Sequence, residues 1–383
     1  MQGYGTTIFA AITALAAEHD AVNLGQGFPD SDGPPGMLAV AAQALTGGGR
    51  NQYPPGPGIP ELRAAVAAQR ARDYGQELDP NGEVLVTVGA TEAISAAVLA
   101  LAEPGDEVLV LDPCYDSYAA AISLAGAVRV SVPLRPDADG RFALDSDELR
   151  AAVTPRTRVL LLNSPHNPTG TVLTTAELEA VAAIANDRDL TVVTDEVYEY
   201  LVYDGVRHQP LALLDGMAER TLSVSSAGKT FSVTGWKVGW ACGPRELVSA
   251  VTTVKQFLTF TANNALQLAV AHALDHEMDW VAGLRESLQQ RRDQLVSGLT
   301  ESGFVAHRPQ GTYFVQADVS ALGQDARELA LTLPASHGVA AIPTAVFAAD
   351  PAPWTGYLRF AFCKQPAVLA EAVTRLTRAP LPG

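Results

Sequence analysis

The sequence predicts an α/β fold: a large domain with a mostly parallel, seven-stranded sheet between helices, beside a smaller α+β domain. Three observations predict it. Between residues 84 and 243, short β-branched runs alternate with helical patterns; from Pro244 onward, long helical stretches take over; and 383 residues exceed the length over which one hydrophobic core keeps growing.

The strand runs are "EVLVTVG", "DEVLVLDP", "VRVSVP", "RVLLLNSP", "LTVVTDEVY", "RTLSVSS" and "VGWACGP", several of them separated by patterns such as "TEAISAAVLALA" and "TTAELEAVAAIANDRD". Helices are expected over roughly 245–260 and 264–301, then strands in "GTYFVQAD" and "GYLRFAFC", then a closing helix near 366–378. At the start, Ile8, Ile12 and Leu15 give a small amphipathic helix rather than a signal peptide, because no basic segment precedes them. The segment "VNLGQGFPDSDGPP" is too rich in turn residues to extend the large sheet and is expected to pack with the smaller domain. Pro60 suits the first turn of a helix after the loop "RNQYPPGPGI". The expected division is 1–45 as an N-terminal arm and part of the small domain, 46–260 as the large domain and 261–383 as the small C-terminal domain.

A net charge of −16 argues against nucleic acid or an anionic membrane as the main partner, since both reward a basic footprint. Hydrophobic residues at 48% and charged residues at 18% are those of a folded protein, and no run reaches the roughly 18 apolar residues of a membrane span. Cys114, Cys242 and Cys363 are widely spaced and odd in number, which offers neither a disulfide framework nor a CxxC motif and points to a reducing, cytoplasmic setting. His272 and His276 stand at i, i+4 on an expected helix, but without a third ligand nearby no metal site is expected.

Of 26 basic residues only Lys229, Lys237, Lys255 and Lys364 are lysines, and two of them fall in "SSAGKTFSVTGWKVGW", a run with no acidic residue between Glu219 and Glu246. An amine can lose its proton and attack a carbonyl, whereas guanidinium stays charged. Ligands of open parallel sheets bind at the carboxyl ends of strands. There the sequence puts a Gly89-Ala90-Thr91 turn opening a helix, which suits a phosphate, then Tyr115, Asn167, Asp195, Tyr198, Ser226 and Lys229. Taken singly, Asn167 is also a turn former, Asp195 a helix cap, Tyr198 a packing residue and Lys237 a solvated cation. Together they supply an anion site, a flat ring, a carboxylate, an amide, a phenol and a nucleophilic amine, the set needed by a pyridine aldehyde phosphate.

The ordered set "NSPHNPTG", "TDEVY" and "SSAGKTFSVTGWKVGW", with "YLRFAF" near the end, resembles the fold-type I, class I/II pyridoxal phosphate aminotransferases along essentially the whole chain. The resemblance implies pyridoxal 5′-phosphate as cofactor, bound covalently by Lys229, which would also shuttle the substrate proton. Lys237, Ser226 and the amides at Ala90 and Thr91 would hold the phosphate. Asp195 would pair with the ring nitrogen, Asn167 and Tyr198 would hydrogen-bond the phenolate oxygen, and Tyr115 would stack on the ring. Arg359 would grip the substrate α-carboxylate, with Asn167 and Gly27 beside it. Tyr53 resembles the tyrosine that reaches the neighbouring subunit's cofactor, which implies a homodimer with shared active sites acting on small amino acid and oxo acid substrates.

Within the family, "AVNLGQGFPDSDGPP", "NQYPPGPG" and "VGATEAI" look most like the actinobacterial branch that acts on N-succinyldiaminopimelate, and are similar also to kynurenine/glutamine and methionine aminotransferases. Where that branch typically carries a segment like "GGAPFQ", this chain reads "TANNALQ" at 261–267, so elimination, substitution or oxidation on the same cofactor stays open as an alternative. A non-catalytic ligand sensor is the other alternative, opposed by the intact Lys229. Arg50, three positions before Tyr53, is either a contact for a distal substrate carboxylate or an exposed loop residue.

Overall fold

The computed structural model describes residues 8–378. Among them, eight strands form the large sheet in the order Val84–Thr87, Gly239–Cys242, Thr221–Ser226, Thr191–Asp195, Thr157–Asn163, Glu107–Asp112, Val128–Pro136 and Phe142–Leu144. All seven expected strands are present. The eighth, three residues long, pairs antiparallel with the end of Val128–Pro136 and is too short for periodicity to register. Gly239–Cys242 also runs antiparallel to both neighbours, and the pairs between them and Phe142–Leu144 are parallel.

The central strands are apolar on both faces because both faces are covered. Leu85, Val108, Val110, Leu161, Val193 and Val224 meet side chains of the helices Gly89–Leu101 and Asp116–Leu124, while Leu109, Leu111, Leu160, Leu162 and Val192 meet those of Thr175–Arg188. That last helix starts in a capping box, with Thr174 accepting from the Glu177 amide and the Glu177 carboxylate accepting from the Thr174 amide.

Val305–His307, Phe314–Asp318, Tyr357–Ala361 and Ile342–Pro343 form a second, antiparallel sheet. Its core is shared with Met278–Glu301, Ala326–His337 and Pro366–Thr377. The N-terminal segment joins this unit as expected: helix Ile8–Glu18 buries Ile12 and Ala16 there, and Val22–Asn23 pairs with Val339–Ala340. The first seven residues of the expected N-terminal stretch lie outside the described residues.

The single helix expected over 264–301 is two, Asn264–His276 and Met278–Glu301, broken at Glu277. Neither glycine nor proline marks the break, so the sequence gives no local stop signal. The shorter helix buries Ala269, Val270, Ala273 and Leu274 with Val84, Val86 and Trp240 of the large sheet and with helices Pro35–Thr46 and Pro60–Tyr74. The longer one places Leu288, Leu295 and Leu299 in the small core. We therefore propose a large unit that extends through His276, with the division near Glu277 rather than at 261. No helix among the described residues is long and apolar enough to cross a membrane.

Candidate active site

Sheet register assembles the site. Asn163 lies opposite Asp195 on adjoining parallel strands, and Gly239 pairs with Ser226 on one side and Thr87 on the other. The carboxyl ends of four strands therefore open onto one cavity of about 500 Å³, closed from the far side by the second sheet. Of the cofactor and substrate residues that the resemblance implies, all but Tyr53 line it: Gly27, Ala90, Thr91, Tyr115, Asn167, Asp195, Tyr198, Ser226, Lys229, Lys237 and Arg359. Despite the acidic chain, its basic and acidic lining is Lys229, Lys237 and Arg359 against the carboxyl groups of Asp116 and Asp195.

Lys229 sits on the one-turn helix Ala227–Thr230 that follows strand Thr221–Ser226. Its Nζ donates to the Tyr313 hydroxyl at 2.6 Å. Burial pushes its pKa down to about 8, with Arg359 and Lys237 pushing the same way, so an appreciable fraction of free amine exists near neutral pH.

Asp195, at the end of its strand, is 5% exposed and receives the Tyr118 hydroxyl at 2.6 Å on Oδ2. Burial pushes its carboxyl up to about 6, even against the Tyr118 and Val197 donors, so a cation placed beside it would restore the carboxylate.

Arg359, on strand Tyr357–Ala361, is 3% exposed. One terminal nitrogen donates to Asn167 Oδ1 at 3.0 Å and the other to the Gly25 carbonyl at 3.3 Å, while Nε has no protein partner. Its guanidinium lies 4.1 Å from the Phe314 ring centre and 4.5 Å from that of Phe347, which fixes its plane. The backbone N–H of Asn167 in turn donates to Asn163 Oδ1 at 2.7 Å.

At the other end, helix Gly89–Leu101 begins with Gly89 at φ +74°, a conformation that glycine adopts without strain. A Cβ on Gly89 would lie 3.2 Å from Lys237 Nζ, and one on Gly239 would lie 2.7 Å from the Gly89 carbonyl carbon. The backbone is thus bared to a helix N-terminus beside an ammonium, which is an anion cradle. Tyr115 meets Tyr118 edge to face at 5.9 Å, and Tyr198 meets Tyr313 at 5.2 Å, so each phenol projects from a packed pair. Gly27 lines the cavity, where a Cβ would come within 2.5 Å of the Phe314 ring.

Tyr53 stands apart, 82% exposed on the surface with its ring 5.4 Å from that of Phe260. Arg50 is tied to Glu61 at 2.8 Å and to Asn264 at 3.3 Å, with no contact to the cavity. In the divergent segment, Asn263 caps helix Asn264–His276 and Gln267 accepts the backbone amide of Ile59, 208 residues away, at 2.8 Å, both structural duties. The His272 and His276 rings lie 4.8 Å apart, and no group of three or more metal-ligating side chains is placed to hold an ion among the described residues.

Sequence reasoning did not single out Tyr118, Asn163, Tyr313, Phe314 or Phe347. Tyr118 follows Tyr115 by one helical turn, and Tyr313 and Phe314 sit in "GTYFVQAD", read only as a strand; these spacings were the available signals. Phe347 gave none.

The donor set fits pyridoxal phosphate: an anion cradle with an adjoining ammonium, a carboxylate whose burial calls for a cation, phenol and amide groups between them, and a partly deprotonated lysine. The family model for class I and II aminotransferases matches residues 19–376. The chain is 57% identical to the probable N-succinyldiaminopimelate aminotransferase of Mycobacterium tuberculosis, covering 98% of this chain and 97% of that one. It is 41% identical to the methionine aminotransferase of Escherichia coli, over 97% and 95% of the two chains. The solved structure of N-succinyldiaminopimelate aminotransferase from Mycobacterium tuberculosis matches with a TM-score of 0.95 at 58% identity, covering 98% of this chain and 97% of that one. Matched nearly end to end in sequence and in shape, the chain belongs to the class I and II aminotransferases, which use pyridoxal phosphate to move amino groups between amino acids and oxo acids.

Proposed function

We propose that this aminotransferase works as a cytoplasmic homodimer and exchanges an amino group between N-succinyldiaminopimelate and 2-oxoglutarate. The observation that carries the reading is one cavity holding a free amine, Lys229, and a buried guanidinium, Arg359, whose Nε lacks a protein partner. An amino acid offers the matching pair, a carboxylate and a reacting Cα. The choice of substrate rests on the 57% identity to the mycobacterial relative, against 41% for the methionine enzyme.

When bound, the cofactor supplies an aldehyde for the amino group and a ring that stores the electron pair left at Cα. Lys229 would anchor it covalently and, as a free amine, would carry the substrate Cα proton. Asp195 would keep its ring nitrogen protonated, which suits the ring to hold the electron pair. Asn167 and Tyr198 would hydrogen-bond its phenolate oxygen, and Tyr115 would stack on its ring. Lys237, Ser226 and the Ala90 and Thr91 amides would hold its phosphate. Arg359 orients the substrate carboxylate as a planar fork, backed by Asn167, and Gly27 leaves room for substrate at the opening. Tyr53 completes the partner's phosphate site, and its exposure beside Phe260, with Phe257 exposed as well, supports a surface buried in a dimer.

Borohydride reduction of the purified protein followed by peptide mass spectrometry should find the cofactor on Lys229. Amino donor alone should convert the chromophore to its amine form without release of ammonia, which an eliminating enzyme would produce. Succinylated substrate with glutamate should then turn over; if it is inert while kynurenine, glutamine or methionine react, the substrate assignment is wrong.

A further inference from the structure

We propose that Tyr313 is a positioning residue for Lys229: its hydroxyl holds the amine against the cavity wall when the amine is not covalently engaged, and ties it to the segment that carries Gly27. This rests on the functional reading above and adds a residue to it.

Tyr313 does not line the main cavity. It stands behind Lys229, fully buried, on the strand side of the small unit. Two hydrogen bonds run through one oxygen: Lys229 Nζ donates to the Tyr313 hydroxyl at 2.6 Å, and that hydroxyl donates to the Gly27 carbonyl at 2.6 Å. The order of donors follows from the chemistry. An ammonium can only donate and a carbonyl can only accept, so the phenol is oriented by both neighbours. The ring is clamped by Tyr198 at 5.2 Å and Phe314 at 4.9 Å, both edge to face, so the hydroxyl stays in place when the lysine moves. The main-chain oxygen of Gly27 belongs to the loop after Val22–Asn23, whose strand pairing ties it to the small unit. One phenol thus joins three elements: the short lysine helix of the large unit, the bend that leads into strand Phe314–Asp318 of the second sheet and the N-terminal loop that lines the cavity.

A long flexible side chain that must release its covalent bond and then carry a proton benefits from a fixed resting point, because each rotor frozen in advance is one fewer to order in the transition state. Burial of the amine among apolar rings disfavours its charged form, and the phenol oxygen is the acceptor that offsets this. The other groups facing the amine are Asp195 and Cys363 on the acidic side, Arg359 and Lys237 on the basic side, and the Tyr198 ring at 5.6 Å. All of them remain in a Tyr313→Phe variant, which keeps the packed ring and removes only the oxygen.

The test uses the full chain in two forms. In protein stripped of cofactor, methylation of Lys229 by formaldehyde and cyanoborohydride, read by peptide mass spectrometry across pH, should have its half-point near 8 in the wild type. In Tyr313→Phe it should move down by about one pH unit, as loss of an acceptor for the ammonium requires. In the holoenzyme with an amino donor, kcat should fall roughly tenfold while KM changes less than about twofold. An unmoved methylation profile with kcat intact overturns the inference, as does a variant that loses only thermal stability and cofactor affinity, which is what a packing role predicts. Borohydride labelling of the wild type separates the two levels. No adduct at Lys229 overturns the functional reading and this inference with it, whereas a normal adduct with an unchanged variant overturns this inference alone.

Discussion

The Tyr118 hydroxyl donates to Asp195 Oδ2 at 2.6 Å, from a helix that follows a different strand, and it is the strongest side-chain partner of the most deeply placed carboxylate in the cavity. The bond works against burial. It stabilises the carboxylate, yet burial still raises the group to about 6, so the protein without cofactor carries a carboxyl ready to meet a cation.

A raised carboxyl favours the protonated fold. In the cofactor-free protein, the stability it contributes is complete below the ordinary value near 4 and is lost as pH rises through about 6. Cofactor affinity should run the other way, falling below about pH 6 as Asp195 takes up a proton and can no longer pair with the ring nitrogen. Tyr118→Phe removes a donor that lowers the group, so the midpoint should shift upward; Asp195→Asn should flatten the profile. Quenching of protein fluorescence by cofactor across pH reads all three.

Gly89→Ala places a β-carbon at φ +74° and 3.2 Å from Lys237 Nζ. The left-handed conformation costs about 1–2 kcal/mol, and the displaced ammonium adds to it at the cradle. Cofactor affinity should fall roughly tenfold or more while the far-ultraviolet circular dichroism stays unchanged, as equilibrium dialysis would show.

Arg359→Lys keeps the charge and loses the planar fork, together with the stacking between Phe314 and Phe347. Losing a charged hydrogen bond of about 1.5–3 kcal/mol raises KM for the amino donor roughly 10- to 100-fold. Cofactor loading, read from the absorbance of the chromophore, should be retained.

Arg70 is buried and reaches Glu196 at 2.8 Å and Glu199 at 3.7 Å, behind the strand that ends in Asp195. Arg70→Ala leaves two buried carboxylates without their cation, and should destabilise the protein by about 3–5 kcal/mol in urea unfolding.

If Tyr53 serves the partner's site, Tyr53→Ala and Lys229→Ala proteins, each impaired alone, should regain activity when unfolded together and refolded as a mixture. One site of each hybrid then has both residues intact. Activity no greater than the sum of the two separate variants would rule out the shared site.

The strands were legible because each is a β-branched run bounded by turn residues, and the residues at their carboxyl ends were legible because the site of an open sheet lies there. Lys229 and Lys237 stood out through scarcity, in a chain that otherwise uses arginine. Phe142–Leu144 was too short to show, and the break at Glu277 carried no local signal. Tyr313 was hidden for another reason: as a tyrosine in an apolar strand it reads as packing until the Lys229 amine and the Gly27 carbonyl are found on its oxygen.

By itself the sequence determined the alternation of strands and helices, the identity of the chemical groups and their order along the chain, since these follow from local periodicity and residue type. Tertiary structure alone decided which groups share a wall. Asn163 faces Asp195 through strand register, Arg359 is planed by Phe314 and Phe347 within the small unit, and Asp195 is raised by burial that no neighbour in sequence could impose. Dielectric environment and distances between remote segments belong to the packed chain, and those quantities set a pKa and aim a hydrogen bond.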